Sequence, residues 1–183
     1  MKNILPIASV LAFILSISMT KPCAAQGSVE LQIISPFKEI TLTDVKATGN
    51  KKNGMVEVSM NFKNESSQSA GVSLSLGGFP DFGITDSKGH KYKLFTDVNA
   101  VNSNKGYQNI PFIQFGDKKF DWVALVKQEF PSGEMRKLSV RFKSTEAASP
   151  ALTDFHIRCI LSLDYANVGD KLYELKNLKV DWK

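Results

Sequence analysis

The chain has 183 residues, 43% hydrophobic and 22% charged, with two cysteines and two histidines. A chain of this length builds a core without disulfide staples, and so few histidines and cysteines leave little material for a metal centre. The net charge of +5 is scattered in short groups such as Lys51-Lys52, Lys118-Lys119 and Arg136-Lys137, with acids between them. That excludes the dense basic stripe of a nucleic-acid binder.

In chain order, the first predicted element is a leader. Met1-Lys2-Asn3 supplies a positive start, residues 4–19 are apolar except for a few interruptions, and Thr20-Lys21-Pro22-Cys23-Ala24-Ala25 ends in small residues. This is the three-part pattern of a secretory signal peptide, read as a signal helix over residues 1–25. The apolar run is shorter than the ~20 residues a spanning helix needs, so the mature chain is expected to begin at Gln26 with no transmembrane span. Thr20-Lys21-Pro22 before Cys23 lacks the apolar and small residues of a lipid-attachment signal, which argues against a lipid-anchored form. The expected location is periplasmic or extracellular. Cys159 is then the only thiol of the mature chain, alternating with Phe155, Ile157 and Leu161 as a small buried hydrophobe.

Period-two alternation dominates residues 26–183. Strands are predicted over 29–35, 40–48, 55–63, 72–76, 82–86, 91–96, 120–127, 137–143, 155–164 and 178–182. In the third, Val56, Val58, Met60 and Phe62 take one face while Glu57, Ser59, Asn61 and Lys63 take the other. Asn53-Gly54 marks a hairpin joining 40–48 to 55–63, Asp86-Ser87-Lys88-Gly89 a second tight connection, and Pro131-Ser132-Gly133 a third. Residues 144–152 are the best helical candidate, limited by Pro150 to about a turn. Short strands with regular turn signals predict a single all-β domain over 26–183, an antiparallel β-sandwich with an eight-stranded barrel as the alternative.

Three segments then resemble a known group. Asn61-Phe62-Lys63-Asn64-Glu65-Ser66 closes a strand with a polar turn. Asp86-Ser87-Lys88-Gly89-His90-Lys91-Tyr92 forms a D-x-x-G-x-x-Y hairpin. Pro131-Ser132-Gly133 leads into Lys137-Leu138-Ser139-Val140-Arg141-Phe142. Their succession over residues 38–143 is similar to the telokin-like immunoglobulin-fold domains of exported bacterial proteins, mostly without assigned activity. The resemblance implies an immunoglobulin-like fold in a secreted setting and transfers no catalytic residues. The 99–116 connection is longer and more aromatic than that group's usual form.

No catalytic or metal signature stands out. His90 and His156 have no second His or Cys at ligand spacing, so they read as surface histidines with no metal and no cofactor expected. No G-x-S-x-G elbow is present. Asp81, Asp86 and Asp97, and Asp117 and Asp121, are dense enough to raise a hydrolase built on paired acids such as Asp81 and Asp121, although turn-forming aspartate is the plainer reading. Residues 77–83 and 99–116 are less ordinary, since long loops with apolar content serve either as core caps or as contact surfaces. Phe79, Phe82, Phe112 and Phe115 are therefore the candidate binding residues, for an envelope protein or a glycan. A carbohydrate-binding module would instead need Trp122 and Tyr107 as an exposed platform. The leading expectation is a non-enzymatic exported binding or accessory module of the bacterial cell envelope, its ligand unspecified.

Overall fold

The computed structural model describes residues 29–75, 81–92, 113–120, 125–144 and 149–183. The predicted leader lies outside them, as do most of the 99–116 connection and residues 145–148. Among the described residues there are twelve strands and no helix. They are β1 (Gln32–Ile34), β2 (Ile40–Asn50), β3 (Met55–Asn64), β4 (Ala70–Ser75), β5 (Phe82–Asp86), β6 (Lys91–Tyr92), β7 (Ile113–Phe115), β8 (Lys118–Phe120), β9 (Leu125–Phe130), β10 (Met135–Lys143), β11 (Ala151–Leu163) and β12 (Ala166–Trp182). The short helix expected within 144–152 is corrected at its end, where β11 already begins at Ala151.

The strands follow one curled path, β6-β5-β11-β12-β2-β3-β10-β7-β8, with β1 added on β12 and β4 bridging β11 and β9. β11 is the hub of one half. Its first part pairs with β5, its second part with β4, and its other edge with β12. β2, β3, β10, β7 and β8 form the other half. The two halves are joined through β12, whose final residues run parallel to β2, with Val180 beside Ala47 and Trp182 beside Gly49. The purely antiparallel arrangement expected from the turns is corrected at this junction.

A single residue makes the double use of β12 workable. Asn177 sits at φ 60, and the buried positions change parity across it, from Tyr173 and Leu175 to Leu178 and Val180. One residue out of the extended register turns every later side chain to the other face.

The alternating apolar rows meet inside the curl. Val56, Val58, Met60 and Phe62 are all buried, as are Leu138, Val140, Phe142, Phe155, Ile157, Cys159 and Leu161. Phe62 of β3 packs edge-on against Tyr173 of β12 and Phe115 of β7, with ring centroids 5.3 and 5.4 Å apart. The Tyr173 hydroxyl donates to the Ile40 carbonyl at 3.2 Å, which satisfies its polar end within the core. The buried Gln128 side chain of β9 donates to the Phe115 carbonyl at 2.8 Å and so ties β9 to β7.

The three segments that carry the family resemblance resolve into two turn locks. Asn64 is fully buried. Its amide group donates to Gln68 O at 2.7 Å and Phe130 O at 3.2 Å, while its Oδ1 accepts from the Ser66 amide and hydroxyl. The turn after β3 is thereby fastened to the Pro131-Ser132-Gly133 turn, where Gly133 at φ 75 donates back to Asn64 O at 2.8 Å. In the second lock, Asp86 is 1% exposed and accepts from the Lys88 amide at 2.9 Å, the His90 amide at 3.0 Å and the Tyr92 hydroxyl at 2.8 Å. Gly89 at φ 84 supplies the left-handed residue the turn requires.

Candidate functional site

Alternation in β5, β11 and β12 sends a set of polar residues to the outer face of their half. Phe82 and Ile84 point inward, so Gly83 and Thr85 point outward. Across the register Gly83 faces His156 and Thr85 faces Asp154, and these in turn face Glu174 and Lys176. Gly83 is required at its position because the His156 ring lies over it, and an added Cβ would stand 2.5 Å from Cε1.

These side chains form one network. His156 Nδ1 and Asp154 Oδ2 are 2.7 Å apart, and Lys176 Nζ donates to Asp154 Oδ1 at 2.5 Å and pairs with Glu174 at 2.8 Å. Burial works to raise the Asp154 carboxyl, but hydrogen bonds and charge from Lys176 and His156 outweigh it and hold the group below its ordinary value. The Lys176 ammonium is raised in turn by Asp154 and then Glu174. Both oxygens of Asp154 are engaged, so its role is to orient the imidazole, which is only 13% exposed.

Beside this network is a recess of about 300 Å³. Thr85, Lys91, Asp154 and His156 give it polar groups and Tyr92 borders it, while Phe82 and Ile84 adjoin it with side chains that are each 1% exposed and belong to the core. Tyr92 is positioned by its hydroxyl, which donates to Asp86 and lies 3.1 Å from Ser144 Oγ, and by its ring, which packs 4.9 Å from that of Phe142. Lys91 comes from the short β6, opposite Thr85. A concave recess on which a few polar groups converge is a usual form of a small-ligand site.

Of the four predicted contact residues, Phe82 and Phe115 lie among the described residues, and both are buried. Phe82 is 1% exposed and Phe115 is 0% exposed. Phe82 packs edge-on against Phe155 at 5.6 Å, and Phe115 packs against Phe62. Both serve the core because they occupy inward positions of their strands, which corrects their assignment to an exposed patch. Phe79, Phe112, Trp122, Tyr107, Asp97 and Asp121 lie outside the described residues. Asp81 accepts from Ser75 Oγ at 2.9 Å and Arg158 at 3.1 Å, and Arg158 also pairs with Asp170, so Asp81 is engaged in an outer-face ion network. Cys159 is buried, and that burial, with the Asp170 charge, pushes its thiol up to about 12. Among the described residues no three His, Cys, Asp or Glu side chains gather as metal ligands, and no helix is long and apolar enough to cross a membrane.

His156 was read as a surface histidine. It does lie on the outer strand face, but neighbours cover most of it. The i, i+2 spacing of Asp154 and His156 was a usable signal for a shared face. The contribution of Lys176 was hidden, because the parity change at Asn177 obscures which face it takes.

No family model matches the sequence, and no curated protein matches it. Among solved structures, the chain is similar to the ASH/PapD-like domain 7 of human CEP192, at 13% identity and a TM-score of 0.33, over 97% of this chain and 98% of that one. It is also similar to self-complemented MyfA, the major subunit of Myf fimbriae from Yersinia enterocolitica, at 8% identity and a TM-score of 0.34, over 82% of this chain and 99% of that one. At these scores the likeness is coarse, and it does not single out the telokin-like group.

Proposed function

We propose that this chain is an exported, non-enzymatic binding or accessory module of the bacterial cell envelope. In this reading it is an immunoglobulin-like β-sandwich that holds a small amphiphilic ligand, or a side chain of a partner protein, in the recess between β5, β6 and β11. The observation that carries the reading is the recess itself. Its volume of about 300 Å³ falls at the lower end of ligand pockets, and polar groups converge on it beside Tyr92. Export rests on the leader pattern of residues 1–25.

Thr85→Trp tests the site, since it fills the recess from an outward position and leaves the inward rows of β5 untouched. In a thermal-shift screen of small amphiphiles, a compound that raises the Tm of the native chain should lose its effect on this variant while the variant's own Tm holds. Equal shifts in both proteins would place the binding elsewhere.

A further inference from the structure

At the other end of β11, away from the recess, the chain reverses into β12 through Asp164 and Tyr165, both in the left-handed region at φ 43 and φ 70. Two-residue hairpins with two positive φ values ordinarily use Asn-Gly or Gly-Gly, because Cβ crowds the backbone there. A bulky aromatic residue in that position is an outlier whose benefit must come from its ring. The tip is also fixed in place. The Asp164 amide donates to Ser69 O at 2.9 Å, the Ser69 amide donates to Asp164 Oδ1 at 3.1 Å, and Gln68 Nε2 donates to Asp164 Oδ2 at 2.9 Å. Tyr165 is 88% exposed, the most exposed large apolar side chain among the described residues. It is thus an aromatic side chain carried into solvent on an anchored turn.

A shallow depression adjoins it, lined by Tyr165, Asp164, Ser162, Gly71, Ser69 and Glu129. Glu129, Gly71 and Ser162 form one row across β9, β4 and β11. Gly71 carries no side chain there, and Ser162 Oγ takes the space a Cβ would need, donating to the Gly71 carbonyl at 3.3 Å. Lys127 already pairs with Glu129 at 2.7 Å, so the depression offers oxygens with acceptor capacity rather than a spare cation. An anionic ligand would meet two carboxylates. A wholly apolar ligand would strip water from those carboxylates and gain only one ring. A polyhydroxylated ring suits the set, with C–H groups for the tyrosine face and O–H donors for the oxygens around it.

We propose that Tyr165, with Glu129, Asp164 and Ser162, forms a binding site for a neutral sugar ring, the ring's C–H face stacking on Tyr165 and its hydroxyls donating to the carboxylates. This inference does not depend on the recess.

The test is native affinity electrophoresis of the full chain in gels containing dextran, hydroxyethyl-cellulose, xylan or glycol-chitin. At least one polymer should retard the native protein, and the matching free sugar should relieve the retardation. Tyr165→Gly should weaken that retention about tenfold or more, as removal of a central aromatic contact does, while its Tm stays level or rises because glycine relaxes the turn. Glu129→Gln should weaken retention less. Absence of retardation in all four gels overturns the proposal, and so does equal retention of Tyr165→Gly. A fall in Tm without loss of retention would show that the tyrosine serves the turn alone.

Discussion

Asp86 shows what a single residue contributes to this fold. A carboxylate that is 1% exposed would ordinarily destabilise a core, and burial does work to raise its pKa. Hydrogen bonds from Tyr92, from the His90 and Lys88 amides and from the His90 side chain outweigh that effect and hold the carboxyl below its usual range. Asp86→Ala is expected to cost about 1–3 kcal/mol in urea titrations, the range for losing charge-assisted buried hydrogen bonds. The pH dependence has a definite sign. Because folding lowers the carboxyl's pKa, its contribution is complete above about pH 4 and is lost as pH falls through the folded value. Asp86→Asn should therefore flatten the acid limb of a stability–pH curve relative to the native chain, and an unchanged slope would contradict this role. The D-x-x-G-x-x-Y spacing was visible in the sequence, but its meaning was not. Only the folded hairpin shows that the first and last residues of the motif touch.

At the scale of elements, β12 organises the molecule by serving β11 and β2 in succession. Its end is secured by Trp182, whose indole N–H donates to Ser149 O at 2.7 Å and whose ring lies across Gly49. Any Cβ at Gly49 would overlap that ring. Gly49→Ala is thus expected to displace the indole and cost about 1–3 kcal/mol, the usual penalty of overpacking, read as a lower urea midpoint with a shifted tryptophan emission. Full retention of both signals would show that the pair is incidental. The strands were largely legible from alternation. The 82–86 strand has the predicted bounds, and the 55–63 strand places Val56, Val58, Met60 and Phe62 inward as expected. The first part of β12 was not legible. Ala166–Leu172 is mostly exposed, which removes the one-sided apolar pattern, and the parity change at Asn177 separates Tyr173 and Leu175 from the readable row of Leu178 and Val180.

For the whole molecule, export is the property argued from the leader, and it has a direct check. N-terminal sequencing of the protein recovered from a bacterial envelope fraction should begin at Gln26, whereas a retained Met1 would remove the exported reading. Neither candidate site was readable as a set of residues. The recess takes Asp154 and His156 from β11, Thr85 from β5 and Lys91 from β6, and the hairpin depression brings Glu129 beside Gly71 and Ser162. Long-range register assembles both, and local spacing reveals no more than the shared face of Asp154 and His156. Composition and alternation were sufficient to anticipate the all-β character of the described residues, with their apolar rows turned inward, because strand periodicity is a local property of the backbone. Which strands became neighbours, that Phe82 and Phe115 joined the core, and which polar side chains converged on a common surface were decided by the tertiary structure, since burial depends on what packs against a residue from far along the chain.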